Sequence, residues 1–194
     1  MGKNHIHFSS RRDQQELDAF SGQDQRQVAV LHSISPKVLI DYVDDWQKFS
    51  DKDFIKSISH HDRERNVGET GIRGVGPSPM KTRLGWLVLY HVTEPSDPGR
   101  YKLYALILDK NDPTKVLYRS KGAILAPDER YENEGNKWGI IYSCGAVIKD
   151  QELFVYYGGA DTVGCVASIQ IEELLQDLTE NRVITLKKDS FEKI

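Results

Sequence analysis

The segment Tyr142–Val166 constrains the fold more than any other part of the chain. It holds two extended apolar runs, Cys144–Ile148 and Leu153–Tyr157, joined by the polar residues Lys149-Asp150-Gln151-Glu152. Two short runs around so brief a polar connection predict a β-hairpin. The second run ends in the glycine pair Gly158-Gly159, followed by Asp161-Thr162 and a third apolar run, Cys165–Ile171. Glycine admits positive φ and close backbone approach, so the carboxylate of Asp161 is expected at a strand end and not on a strand face. The whole reads as one antiparallel, blade-like sheet with an acid at its rim.

Other stretches repeat the hairpin theme. Val28–Leu31 and Lys37–Val43 are predicted strands around Pro36, and Ile6, between His5 and His7, reads as a short strand. Gly68–Pro79, GETGIRGVGPSP, carries too many breakers for a helix or a regular central strand. Met80–Thr82 and Gly85–Val92 predict a tight hairpin about Arg83-Leu84. Tyr101–Asp109 and Val116–Arg119 predict another across the turn Lys110-Asn111-Asp112-Pro113. Tyr131–Trp138 is read as polar loop. Ile171–Leu178 has apolar groups at helical spacing and two early acids, so a short helix is expected. Val183–Leu186 is read as a last strand. Repeated hairpins favour an all-β sandwich or propeller, and no clean repeat chooses between them. The segment 1–27 is polar and weakly patterned, with Arg11–Gln27 read as loop, short helix or disorder, and 28–194 is taken as the β domain.

Composition narrows the function classes. A net charge of −3 from 26 basic and 29 acidic residues lacks the basic excess that nucleic-acid binding needs. No apolar run reaches membrane-spanning length, and MGKNHIHFSSRRDQQ offers no signal-peptide core. A cytoplasmic protein with no membrane or nucleic-acid partner is the expectation. The two cysteines, Cys144 and Cys165, lie in apolar strands and are expected to be reduced and buried. His60-His61-Asp62 lacks a third ligand at useful spacing, so no metal site is expected. GIRGVG has neither dinucleotide nor P-loop spacing.

Four segments in order, ETGIRGVGPSPMKT, GWLVLYH, YKLYALILDKNDPTKVLYRSKGAIL and SCGAVIKDQELFVYYGGADT, resemble glycoside hydrolase family 130 from about Ser33 to Ala167. That family comprises β-mannoside phosphorylases and related mannosidases, built as five-bladed β-propellers. The resemblance therefore implies an all-β, partial propeller of about three blades with a short C-terminal helix. It implies phosphorolysis of a β-mannoside to mannose 1-phosphate, with inorganic phosphate as co-substrate and no further cofactor. An acid protonates the glycosidic oxygen while phosphate attacks the anomeric carbon, and cationic donors hold the phosphate.

By position, the resemblance assigns phosphate binding to Lys81 in PSPMKT and to His91 closing GWLVLYH. It assigns mannosyl binding to Asp161 in YYGGADT, with Glu69 in GETGI as a further sugar contact. Tyr131 is added as a sugar contact from its place in the polar loop. Each has a plainer reading: an Asx-turn acid for Asp161, a solvated lysine, and a core or rim histidine. Lys81 and His91 fit a phosphate site if their hairpin points both to one end of the sheet. Trp46, Trp86 and Trp138 suit sugar stacking but are more often core in propeller blades.

The chain also departs from the family pattern. The family's catalytic acid stands in an aspartate-proline-arginine context in an amino-terminal blade, and this sequence has no such segment. The catalytic residue is therefore unknown. Leu31-His32 is followed by Ser33 where the family has a phosphate-binding arginine, and HFSSRR matches the preceding strand only loosely. Three competing expectations result: a phosphorylase impaired unless missing blades complete it, a non-catalytic sugar-binding remnant or a partner-dependent fragment, as a homo-oligomer or with another chain, and an unrelated β-sandwich.

Overall fold

The computed structural model describes residues 6–8, 28–35, 37–43 and 71–188. Glu69, Trp46, His60-His61-Asp62 and the Arg11–Gln27 segment lie outside the described residues. Three antiparallel sheets follow one another along the chain. The first joins β1 (Ile6–Phe8), β2 (Val28–Ile34) and β3 (Val38–Val43). In the second, β4 (Ile72–Val75), β6 (Trp86–Val92), β7 (Lys102–Leu108) and β8 (Val116–Arg119) lie side by side, and β5 (Met80–Lys81) also pairs with β6. The third runs β12-β11-β10-β9, from β9 (Ile141–Lys149), β10 (Glu152–Gly159), β11 (Val163–Gln170) and β12 (Lys187–Lys188). Two helices, α1 (Arg130–Asn133) and α2 (Ile171–Thr179), complete the described elements.

The two-residue side-chain period of the middle sheet explains how the sheets stack. On β6 and β7, Leu87, Leu89, Leu103, Ala105 and Ile107 face a core shared with Leu153, Val155 and Tyr157 of β10. Their alternates Val88, Tyr90, Leu106 and Leu108 face a second core with Leu31, Ile34 and Val38 of the first sheet. The middle sheet is thus apolar on both faces. Helix α2 closes the larger core with Ile171, Leu174, Leu175 and Leu178, the i, i+3, i+4, i+7 stripe read in the sequence.

The hairpin in Tyr142–Val166 forms as expected. Asp150 and Gln151 take φ of 51° and 66°, the positive pair that a two-residue turn of the right twist requires. The Met80–Val92 and Tyr101–Arg119 hairpins also form. Within Gly68–Pro79, β4 is an edge strand with a register shift between Ile72 and Gly74, irregular as its glycines demand.

Three expectations are corrected. Val183–Leu186 is not a strand: Ile184 and Leu186 fill the core, and regular pairing begins only at Lys187. The Tyr131–Trp138 loop instead starts in the one-turn helix α1, closed by a reciprocal capping box between Glu129 and Glu132. The cysteines are not both buried. Cys144 is exposed at the β9 bulge, where Ser143 and Gly145 oppose consecutive β10 residues, and Cys165 is half-buried.

Candidate functional site

The acid expected at the strand end is there. Strand β10 ends at Gly159, and Ala160 and Asp161 turn the chain with φ of 50° and 52°. Thr162 N–H closes this turn on Gly159 O at 3.0 Å. Asp161 is exposed, and its carboxylate lies 2.9 Å from Lys137 Nζ.

A second segment clamps this turn from outside. Lys137 N–H donates to Ala160 O at 2.9 Å, Asn136 N–H to Thr162 Oγ1 at 2.9 Å, and Asn136 Nδ2 to Asp161 O at 3.2 Å. Gly135 fits because a side chain there would meet Ala160 O at 2.8 Å. Left-handed backbone at two successive non-glycine residues costs energy, of order 1 kcal/mol each. Four contacts from residues 136–137 hold it.

The clamp is itself anchored in the interior. Glu132 of α1 is 0% exposed. Its Oε2 accepts from Lys188 Nζ at 2.6 Å and from Glu129 N–H at 2.8 Å, and its Oε1 accepts from Tyr157 Oη at 2.8 Å. One buried carboxylate thereby joins the clamp loop, the strand that enters the Asp161 turn, and β12 beside the strand that leaves it. Burial and the neighbouring acid push the Tyr157 phenol far up, so it stays a donor. Tyr131 belongs to this network: its hydroxyl lies 3.5 Å from that of Tyr157, and burial raises its pKa.

Lys81 and His91 do not come together. The register pairs Lys81 with Trp86 and His91 with Gly74, at opposite ends of β6. Five residues separate them along the strand, about 17 Å. An odd spacing also places them on opposite faces of the sheet. Lys81 is exposed. His91 is 1% exposed, accepts Ser143 N–H on Nε2 at 2.9 Å, and stacks on Tyr142 with ring centroids 4.6 Å apart. Burial lowers its pKa to about 4, against a smaller opposing effect of a hydrogen bond with the Gly74 backbone. A neutral imidazole with both nitrogens engaged ties β4 and β6 to β9.

Sequence reasoning missed Glu132, Asn136 and Lys137, which sit some 25 residues from the turn they support. The signal that could have found Glu132 is the E-x-x-E capping spacing from Glu129. Trp138, the residue after the clamp, is 59% exposed and so is not core. Arg100 lies over its ring, with the guanidinium carbon 5.3 Å from the centroid. A separate open groove of about 450 Å³ runs along the third sheet, lined by Tyr142, Cys144, Tyr156 and Val166 among others. Among the described residues, no cluster of three or more His, Cys, Asp or Glu side chains is placed to hold a metal. No helix among them is long and apolar enough to cross a membrane.

The sequence profile of the glycoside hydrolase family 130 group described as beta-1,4-mannooligosaccharide phosphorylase matches residues 30–180. A 1,2-beta-oligomannan phosphorylase of Thermoanaerobacter sp. is 38% identical over 146 residues, covering 75% of this chain and 47% of that protein. A Beta-1,2-mannobiose phosphorylase of Listeria innocua is 41% identical over 110 residues, 57% of this chain and 30% of that protein. The structure of the Listeria innocua enzyme in complex with beta-1,2-mannobiose superposes with a TM-score of 0.61 at 28% identity. It covers 92% of this chain and 47% of that one. The chain thus spans about half the length of the relatives it matches, or less. The fold is part of a five-bladed propeller, and the three sheets are its blades.

Proposed function

The chain belongs to glycoside hydrolase family 130, and from that premise we propose that it forms the mannosyl-binding part of a β-mannoside phosphorylase. The reaction is attack of a phosphate oxygen on the anomeric carbon of a β-mannoside. The glycosidic C–O bond breaks, an acid protonates the leaving oxygen, and α-mannose 1-phosphate is released. Inorganic phosphate is the co-substrate, and no other cofactor enters this reading. Asp161 accepts hydrogen bonds from mannosyl hydroxyls. The observation that carries this is its turn: a carboxylate at the rim of the blade, at positive φ, held by residues 136–137 and paired with the Lys137 ammonium. Lys137 Nζ adds a donor for the same sugar.

The chain by itself binds and does not turn over in this reading. Lys81, exposed on β5 opposite Trp86, is a phosphate donor toward a cradle that further blades complete, and His91 acts as a buried strut. The general acid and the rest of the phosphate cradle come from further blades, on the same polypeptide or a partner. Val147 and Tyr156 favour such completion: both are exposed on the outer face of the third sheet, where a neighbouring blade packs in a closed propeller. The free cysteines fit a reducing compartment, and a cytoplasmic location is part of the proposal.

Isothermal titration with β-1,2- and β-1,4-mannobiose tests the reading. Saturable binding that Asp161→Asn abolishes supports it. Binding unchanged in Asp161→Asn removes Asp161 from the site.

A further inference from the structure

We propose that Trp138 is a stacking platform for a second pyranose ring of a β-mannoside whose first ring is held at Asp161. The inference rests on the mannoside-binding reading above and adds a subsite to it. The Trp138 indole is 59% exposed, so a broad aromatic face is open to a ligand. Trp138 directly follows Lys137, which is bonded to the Asp161 turn through both its backbone N–H and its ammonium. The two features therefore lie at the same end of the third sheet, where β10 ends and β9 begins.

The indole is also held in place from its backbone and from one ring face. The next residue, Gly139, donates its N–H to Glu132 O at 3.1 Å and accepts Tyr101 N–H at 2.9 Å. Behind the ring, Arg100 is fixed by Asn133 Oδ1 at 3.2 Å, by Asp97 at 3.5 Å and by Pro127 O. Its guanidinium covers one face of the indole at 5.3 Å, so the opposite face is the one offered to a ligand. A β-mannopyranose presents axial C–H groups on one ring face and hydroxyls at its edge. That face suits an apolar aromatic surface, while the neighbouring carboxylate and ammonium suit the hydroxyls. Pre-fixed geometry means that little side-chain freedom is lost on binding.

The experiment is a fluorescence and calorimetric titration of this chain with β-1,2-mannobiose and with mannose. Wild type, Trp138→Ala, Trp138→Phe and Asp161→Asn are compared. Expected is a change in tryptophan emission on adding mannobiose, which is absent in Trp138→Ala. Calorimetric affinity falls about tenfold in Trp138→Ala and much less in Trp138→Phe, which keeps a ring. Mannose, with one ring, binds wild type and Trp138→Ala alike. Because the side chain is exposed, thermal melting of the variants should match wild type. Mannobiose affinity of Trp138→Ala within twofold of wild type, with Asp161→Asn impaired, overturns the platform and leaves the mannoside reading standing. A folded wild type that binds neither sugar overturns both.

Discussion

Glu132 and Lys188 form an ion pair in the interior, Oε2 to Nζ at 2.6 Å, with Glu132 wholly buried and the Lys188 side chain 13% exposed. Such a pair is costly to desolvate and costlier to break, because the survivor is left charged without a partner. Glu132→Ala should therefore destabilise the fold by about 3 kcal/mol, read as a lower urea midpoint. It should also loosen the 136–137 clamp, read as faster amide exchange at Thr162 and Lys137.

Tyr157→Phe removes only the hydroxyl that donates to Glu132 Oε1 at 2.8 Å. The expected cost is smaller, about 2 kcal/mol for a hydrogen bond to a charged acceptor. Denaturant unfolding of the variant checks the figure, and the double variant with Glu132→Gln should be less than additive.

His91 sets a pH dependence. Its folded pKa, about 4, lies below the ordinary 6.5, so the unfolded chain binds more protons between those values. Stability is then present above about pH 6.5 and is lost as pH falls toward 4. The size is about 3 kcal/mol from this one group. Urea midpoints at pH 7 and pH 5 should differ in wild type, and His91→Gln should flatten the difference.

Gly135→Ala should separate binding from folding. The added Cβ would meet Ala160 O at 2.8 Å and press on Thr162 Oγ1. Both belong to the turn that carries Asp161, so mannobiose affinity should fall roughly tenfold. The cores shared by the sheets are not touched, so the melting temperature should change little. Calorimetric titration beside a thermal melt checks both halves.

Much of this fold was legible because hairpins write themselves locally. Alternating runs around Asp150-Gln151 and the stripe Ile171, Leu174, Leu175, Leu178 each need only neighbours in sequence. Asp161 was legible for the same reason, since Gly158-Gly159 announce a turn. The supports of Asp161 were not. Asn136 and Lys137 meet it only once β9 and β10 have paired, and their polar stretch carries no periodic signal. That Lys81 and His91 lie apart had a readable cause: a turn at Arg83-Leu84 mirrors Lys81 onto Trp86, not onto His91. The burial of His91 was hidden, because it depends on Gly76 and Ser143 closing over the ring from other strands. Trp138 looked like core by residue type alone, and the order of packing left it outside.

The central claim is that this chain binds β-mannosides through Asp161, while the acid and the phosphate cradle lie elsewhere. The most direct test is release of mannose 1-phosphate from β-1,2-mannobiose by the purified chain, with and without inorganic phosphate, alongside calorimetric binding of the same sugar. Expected are saturable binding and no product from the chain alone. Phosphate-dependent release of mannose 1-phosphate by the chain alone would contradict the account.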